Sequence, residues 1–218
     1  MVSQTRLLGI IVDDCLSWSA HVNDLHSKIA RKIGVLRRSS GQLTVNAKRQ
    51  FLISVIQPDL EYAAVAVIPT MSASNRSRLL ALWSKAARRA AGADWQSEIK
   101  PLLVKLRLSH LEDRWALQLA LVVRRCHLNI VPGELCKRID KVCHNYGTRG
   151  NALDLRPFRP NSRAGSICFS NRAPLLWNSL PDNLKQNCNS LLSFKSKFLV
   201  LLSVEPKLIS LAISDANF

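Results

Sequence analysis

Two adjacent carboxylates, Asp13 and Asp14, are the first residues of the chain whose types and spacing could support chemistry. Phosphoryl transfer by two divalent metal ions needs carboxylates from separate strands, which hold the metals about 3.5 to 4 Å apart. Asp13 and Asp14 follow the run LLGIIV instead of forming an aromatic-x-Asp-Asp hairpin, and no acidic residue precedes them. We therefore predict a turn or strand-end role for both residues and no catalytic site.

Cysteine and histidine are concentrated in one stretch of the chain, and residues of these two types can bind a metal ion. The spacing there is C-H-x8-C-x6-C-H, whereas zinc sites usually place paired ligands two to four residues apart. We predict a core position for Cys126 and a polar loop for His144, and keep zinc as the alternative. The residues concerned are Cys126, His127, Cys136, Cys143 and His144. No nucleophile-elbow, Walker or dinucleotide-binding motif occurs, so hydrolase, ATPase and dinucleotide-binding functions have no support.

The charge of the chain predicts a polyanionic partner. Lysine and arginine number 31 against 15 acidic residues, which gives a formal charge of +16 and a pI of about 10.3. The basic residues are spread through amphipathic segments and do not flank an apolar span, so nucleic acid is favoured over membrane. No apolar run approaches the roughly 18 residues of a transmembrane helix. We expect an intracellular protein, in the nucleus or cytoplasm, with reduced cysteines.

The elements that must position these residues are mostly helices, because apolar residues recur at helical spacing through most of the chain. Pro58 should end the second helix, and Gly92 should close the third. A basic segment rich in glycine, asparagine and proline, from Asn145 to Ser166, should be irregular. The predicted elements are strands at Leu7–Val12 and Ser166–Phe169, helices at His21–Arg38, Thr44–Gln57, Asn75–Ala91, Leu108–Leu128 and Ser190–Leu202, and a helical turn around Trp177.

The cationic side chains of these elements are the candidate nucleic-acid contacts. On helices they could lie along phosphates, an interaction that is independent of sequence and weakens with salt. The arginines of the irregular segment could bind RNA as an arm that folds on contact. A solvated charged face is the alternative for each of them. The candidates are Lys28, Arg31, Lys32, Arg38, Arg78, Lys85, Arg88, Arg89, Arg149, Arg156, Arg159 and Arg163. Core packing is expected for Trp18, Trp83, Trp115 and Trp177.

Six short segments, taken in order, resemble the non-LTR (LINE-type, jockey-like) retrotransposon reverse transcriptases. Each segment alone is weakly specific, but the order and spacing agree over nearly the whole chain. The first, LLGIIVDD.LSW.AHV at Leu7–Val22, is similar to the stretch that follows the polymerase palm of that family. The others are PDLEYA (Pro58–Ala63), the Leu82–Gly92 helix, LRLSHLEDRW (Leu106–Trp115), HNYGTRG (His144–Gly150) and WNSLP followed by SFKSKF (Trp177–Phe198).

The resemblance implies a mainly α fold. It would be a helical thumb-like bundle with a short N-terminal β-hairpin remnant and a small irregular C-terminal helical region. Residues 1–20 would be the palm end, 21–143 the thumb-like domain, and 144–218 the basic loop and C-terminal helices. Leu8, Gly9, Asp13 and Trp18 would correspond to the primer-grip region. The segments that carry the metal-binding carboxylates have no counterpart, so the chain alone should not be an enzyme and should need no cofactor. Magnesium would serve only the intact polymerase.

The function implied is that of a truncated RNA-directed DNA polymerase fragment, which retains at most nonspecific binding of a template-primer duplex of RNA or DNA. The missing palm domain is a second expected partner, and a membrane is not expected. The alternative is a helical structural or protein-interaction module without nucleic-acid activity, which would use exposed apolar surface. Salt dependence separates the two, because only a phosphate contact predicts a steep slope.

Overall fold

A computed structural model describes residues 3–139, 154–157, 161–162, 165–166, 168–186 and 190–204. These residues are mainly helical, with one short antiparallel hairpin near the N-terminus, and this confirms the predicted fold class. Two compact units form, one from Met1–Val67 with Met71–Leu111 and the other from Ile68–Thr70 with Glu112–Phe218. The boundary expected at residues 143/144 lies outside the described residues.

The hairpin of the first unit pairs β1 (Gln4–Leu7) with β2 (Ile10–Asp13), each residue of one strand opposite one of the other. Leu8 and Gly9 form the turn with φ angles of 48° and 85°, and type I′ turns need two such positive values. The prediction of one continuous strand over Leu7–Val12 is therefore wrong, because the turn at Leu8 and Gly9 divides that span between β1 and β2. Leucine seldom adopts positive φ, so the sequence signals only the glycine half of this turn.

Helix α1 (Ser19–Ser39) and helix α5 (Ala73–Ala91) are the two long helices of the first unit, and both confirm their predicted spans to within two residues. Gly92 closes α5 at a φ of 68°, as expected for a glycine after a helix. Apolar residues at helical spacing form their cores. The buried residues are Val22, Leu25, Ile29, Ile33 and Leu36 on α1, and Leu79, Leu82, Trp83, Ala86, Ala87 and Ala90 on α5.

The segment between them holds α2 (Val45–Phe51), a π-helical turn (Leu52–Ile56) and α3 (Gln57–Glu61) without a break, so Pro58 does not end the helix as predicted. Proline lacks an N–H and clashes with the carbonyl four residues earlier in a regular α-helix. The wider π turn changes the hydrogen-bond register just before Pro58, which then occupies the first turn of α3, where proline is tolerated. Helices α4 (Ala64–Val67) and α6 (Ile99–Lys105) complete this unit.

The second unit is built on α7 (Leu111–His127), with α8 (Gly133–Cys136) after it. Helix α7 confirms the long periodic segment, and Trp115 is buried on it as predicted. The C-terminal helices are α9 (Phe169–Asn178), α10 (Asp182–Gln186) and α11 (Leu191–Val204). The terminal helix is thus confirmed, and the predicted helical turn around Trp177 is part of the longer α9.

The predicted strand at Ser166–Phe169 is wrong, because Ser166 is helical and Phe169 begins α9. A short apolar run cannot by periodicity alone be assigned to strand or helix. Here the Asn171 side-chain amide donates to the Ser166 carbonyl at 2.7 Å. The Asn171 and Arg172 amides donate to the Cys168 carbonyl at 3.1 and 3.0 Å. These contacts satisfy the backbone in a helical turn, so no partner strand is needed.

Candidate nucleic-acid interface

Helices α1 and α5 run in the same direction, and an open groove lies between them. At their N-terminal ends the Asn75 amide donates to the Ser17 carbonyl at 3.3 Å and to the Ser19 hydroxyl at 3.2 Å. Further along, Arg78 donates to the Asn23 side-chain carbonyl at 2.8 Å. We call the space that follows the α1–α5 groove; its volume is about 220 Å³ and its lining is His26, Ala30, Ile33, Arg78, Ala81, Leu82 and Lys85.

One side of the α1–α5 groove carries a row of cations. Arg78, Lys85 and Arg89 recur at spacings of seven and four residues on α5, and side chains so spaced share one helix face. At ~1.5 Å per residue, the row is about 16 Å long. Arg37 follows Ala30 by seven residues on α1 and is exposed, so it lies on the same side as the groove lining of that helix. The groove therefore has cations on both helices.

Within the part of the chain that the structure describes, no carboxylate compensates the charge of these cations. Arg78 donates only to amide oxygens in the contacts described for it, those of Asn23 at 2.8 Å and Asn75 at 3.3 Å. Neutral acceptors fix the guanidinium without cancelling its charge. Among the described residues, no carboxylate forms an ion pair with Arg37, Lys85 or Arg89. The whole first unit has 16 basic and 7 acidic residues, a formal charge of +9.

Lys28 and Lys32, which the sequence analysis placed among the phosphate contacts, point to a carboxylate instead. Lys28 Nζ lies 2.9 Å from one oxygen of Asp59, and Lys32 Nζ lies 2.5 Å from the other. Lys32 also donates to the Val55 carbonyl at 2.8 Å. Burial of Asp59 opposes its ionisation, but the hydrogen bonds and charges of Lys32 and Lys28 outweigh burial and lower the pKa of the carboxyl. Both lysines thus join α1 to α3.

The remaining predicted cations do not gather at one place. Arg88 donates through Nε to the Ser97 carbonyl at 2.9 Å and so holds the loop that follows α5. Arg31 and Arg38 are exposed on α1, but helical spacing puts them away from the groove lining. Arg156 is exposed in the second unit. Arg149, Arg159 and Arg163 lie outside the described residues.

The primer-grip-like residues occupy the junction between the hairpin and α1. The Asp13 carboxylate accepts hydrogen bonds from the Ser17 amide at 2.7 Å, the Ser17 hydroxyl at 3.1 Å and the Trp18 amide at 3.0 Å. The Ser17 amide is the foremost cause of the lowered pKa of Asp13. Trp18 is buried and begins α1 at a φ of 61°. Asp13 therefore organises the start of α1, in agreement with the turn role predicted for it.

The turn of the hairpin is held to α3 by one contact. Tyr62, just after α3, donates its hydroxyl to the Leu8 carbonyl at 2.6 Å. Leu8 itself is 81% exposed. A Cβ added at Gly9 would lie 4.0 Å from the Tyr62 ring, which is ordinary contact. The positive φ, and not crowding, is therefore what favours glycine at this position. The LLG and EYA stretches of the sequence thus contact each other.

In the second unit, the WNSLP segment has structural contacts. The Trp177 ring lies 4.6 Å from the His127 ring and 6.0 Å from Phe194 between centroids, and all these rings share one core. Asn178 donates to the Leu155 carbonyl and accepts from the Leu155 amide, each at 2.8 Å. The motif therefore fastens Asp154–Pro157 to the end of α9, a role that needs no ligand.

The cysteines and histidines considered for zinc are only partly described. Cys126 is buried, and burial, together with the nearby Cys136, raises the pKa of its thiol to about 11. Within the described ranges, no group of three or more histidine, cysteine or acidic residues could hold a metal ion. Cys143 and His144 lie outside those ranges.

Sequence reasoning missed three residues of the interface: Asn23, His26 and Arg37. Asn23 orients Arg78, and His26 lines the α1–α5 groove. A signal for them was present, since Asn23, His26, Ala30 and Arg37 follow one another at intervals of three, four and seven residues beside the apolar stripe of α1. What the sequence could not show is which helix would pack beside this face.

Comparisons of the chain with protein-family models, with curated proteins and with solved structures found no match. In the part of the chain that the structure describes, none of the helices combines the length and apolar character needed to cross a membrane.

Proposed function

We propose that this chain binds nucleic-acid duplexes without sequence preference, through phosphate contacts along the α1–α5 groove. We further propose that it is a C-terminal fragment of a non-LTR retrotransposon reverse transcriptase that does not polymerise by itself. The observation that carries the binding proposal is the row Arg78, Lys85 and Arg89, with Arg37 on the facing helix and no carboxylate paired to Arg37, Lys85 or Arg89 among the described residues.

The geometry of the row suits a phosphate backbone. One strand of a duplex carries a phosphate charge about every 3.4 Å of helix axis, so a row about 16 Å long spans about five phosphates. Backbone contacts of this kind position a duplex and carry no sequence information. His26 and the small side chains Ala30 and Ala81 leave the space between the helices open to an approaching strand. Binding should therefore depend on charge and salt, and little on base sequence.

Two of the segments on which the proposed family membership rests contact each other in the first unit. Tyr62 of PDLEYA donates to the Leu8 carbonyl of the first segment, and Asp59 of PDLEYA pairs with Lys28 of α1. The proposal itself rests on the order and spacing of the six sequence segments.

Asp13 supports the proposal that the chain alone lacks polymerase activity. Its two oxygens accept three hydrogen bonds from Ser17 and Trp18, and the neighbouring Asp14 is exposed. Two catalytic metals need several carboxylates directed at one point. We expect no primer extension with magnesium at any protein concentration.

The test removes two groove cations and compares them with two cations elsewhere on the same unit. The groove variant is Lys85→Ala/Arg89→Ala, and the matched control is Arg31→Ala/Arg38→Ala, which removes the same charge from the other side of α1. Affinity for a mixed-sequence duplex and for an RNA–DNA hybrid is measured over a range of salt. We expect the groove variant to lower the slope of log K against log salt by about 1.8, at ~0.9 per phosphate contact.

The control should keep a slope close to that of the parent protein. Equal losses in the two variants would mean that binding follows net charge and not the groove. Binding that does not change with salt would refute the phosphate contact altogether.

A second candidate function, a protein-interaction module, is favoured by apolar side chains exposed around the hairpin. Leu7 is 61% exposed, Leu8 81%, Leu16 53% and Tyr62 55%. An apolar patch of this kind commonly binds another protein, and the palm domain of the same polymerase is the partner that the resemblance suggests. A separately produced palm domain should then bind the parent protein but not a Leu7→Ser/Leu16→Ser variant, with little effect of salt.

A further inference from the structure

Trp95 differs from the other tryptophans of the chain in its surroundings. The chain has five tryptophans. Trp18, Trp83, Trp115 and Trp177 are 8%, 1%, 3% and 2% exposed, whereas Trp95 is 76% exposed. A tryptophan ring has a large apolar area and two flat faces that can pack against another flat group. The exposed Trp95 ring therefore has both its area and its faces available to a ligand.

The loop that carries Trp95 is held in place by hydrogen bonds of the residues before and after it in sequence. The Trp95 amide donates to the Asp94 carboxylate at 2.7 Å, and the Ser97 amide donates to the Asp94 carbonyl at 3.2 Å. Arg88 of α5 donates to the Ser97 carbonyl at 2.9 Å. The backbone beneath the indole is thus ordered before any ligand binds, which lowers the entropy that binding would cost.

Both signs of charge occur around the loop, with the cations on the two helices that flank it. Trp95 follows the last residue of α5 by four positions, so it lies within about 14 Å of the helix end toward which the groove cations extend. Arg89 on the last turns of α5 and Lys100 on α6 are both exposed. The acidic neighbours are Asp94, which binds the loop backbone, and Glu98, which is exposed.

We propose that Trp95 is a stacking site for an unpaired base, so that single-stranded nucleic acid leaving the groove continues over this loop. The inference rests on the proposed nucleic-acid binding and adds a second ligand class to it. Aromatic rings combined with cations that follow the backbone are the usual arrangement for single strands, because every base has a π-face and the backbone is anionic. In a duplex these faces are covered by neighbouring bases, so Trp95 can stack only on a single strand or an overhang.

The experiment uses the full chain and fluorescein-labelled oligothymidylate of about 12 nucleotides, within the usual site sizes. Trp95→Ala should bind it about 5-fold to 150-fold more weakly, as expected for the loss of one stacked base. Trp95→Tyr should restore most of the affinity, because a phenol ring still stacks. Val104→Ala is the matched control, since Val104 is an apolar residue of α6 that is 78% exposed, and it should leave binding unchanged. Affinity for a blunt duplex should change less than twofold in all three variants.

A second readout follows the indole itself. Acrylamide should quench mainly Trp95 in the free protein, because the other four indoles are buried. Oligothymidylate should protect that fluorescence, and blunt duplex should not. If Trp95→Ala binds oligothymidylate as tightly as the parent, or if the oligonucleotide gives no protection, the stacking site is refuted even where the duplex salt slope supports the groove. If Trp95→Ala loses single-strand binding while Lys85→Ala/Arg89→Ala keeps the full salt slope, the groove proposal fails and the stacking site stands. If no oligonucleotide binds, both fail.

Discussion

Replacing Asp59 by asparagine should destabilise the first unit, because Asp59 joins α3 to two lysines of α1. The side chain of Asp59 is 13% exposed, and its oxygens lie 2.9 Å from Lys28 Nζ and 2.5 Å from Lys32 Nζ. An asparagine side chain keeps the volume but has one carbonyl oxygen and one NH₂ group. One ammonium would therefore face a donor instead of an acceptor, and both lysines would lose their counter-charge.

The expected loss is about 2 kcal/mol in the free energy of unfolding. Exposed ion pairs contribute about 0.2 to 1 kcal/mol, and removing one partner from a buried pair costs about 3 to 5 kcal/mol. The Lys28 side chain is 48% exposed, so its pair belongs near the lower range, whereas that of Lys32 is 27% exposed and lies between the two. About 0.5 kcal/mol for the first pair and about 1.5 kcal/mol for the second give the estimate.

The assay is urea unfolding followed by circular dichroism at neutral pH, with Asp24→Asn as the control. Asp24 also lies on α1, but it is 45% exposed and 3.9 Å from Arg6, so its loss should cost less than about 0.5 kcal/mol. The pKa of Asp59 is lower in the folded state than its ordinary value of 3.8. The stability that the Asp59 carboxylate contributes is therefore fully present above pH 3.8, and it is lost as the pH falls through the pKa of the folded state. The difference between parent and Asp59→Asn should therefore vanish in acid. Equal stability of the two variants, or a difference that persists in acid, would refute this account of Asp59.

Three further predictions concern other parts of the fold. Leu8→Asn should raise the free energy of unfolding by about 1 kcal/mol, because asparagine tolerates a positive φ better than leucine and suits a type I′ turn before glycine. Leu8 has a φ of 48° and is 81% exposed, so little packing is lost. A lower urea midpoint would contradict this. Asn178→Ala should cost about 2 to 4 kcal/mol, since it leaves the amide and carbonyl of fully buried Leu155 without the partners seen at 2.8 Å; a loss below about 0.5 kcal/mol would show that these bonds are replaced. Burial of His21 lowers the pKa of its imidazole, with Asp24 opposing and Arg6 adding to the effect, so the unfolded chain binds the extra proton and stability should fall as the pH drops below 6.5. His21→Gln should reduce that fall, and an unchanged pH profile would disprove the assignment.

The long helices could be predicted from the sequence because each is marked by its own residues. Gly92 closes α5, and Ser72 accepts from the Asn75 amide at 3.2 Å at its start. The apolar stripe of α1 gives the span of that helix to within two residues. Local signals of this kind do not depend on what packs against the helix.

The wrong sequence predictions concern features that are set by contacts between distant residues or by rare backbone conformations. The positive φ of Leu8 and the π turn before Pro58 cannot be recognised from the types of the residues that adopt them. For the candidate site, helical spacing groups Arg78, Lys85 and Arg89 on one face of α5, and their role in binding stays a prediction. It could not show that Lys32 would meet Asp59 from another helix, because that contact spans 27 residues of sequence.

The π-helical turn at Leu52–Ile56 has a consequence for how related sequences can vary in length. A π turn holds about one residue more than an α turn, so the backbone could lose Ser54 there and continue as a regular α-helix. The amide of Gln57 donates to the Leu52 carbonyl five residues back, and after the deletion the same two groups would be four residues apart, as in an α-helix. Helix α3 would then keep its rotation relative to α2, so Asp59 would still face Lys32 and Leu60 would stay in the core. A one-residue gap in related sequences is therefore expected within residues 52–56 and not in the regular helices on either side.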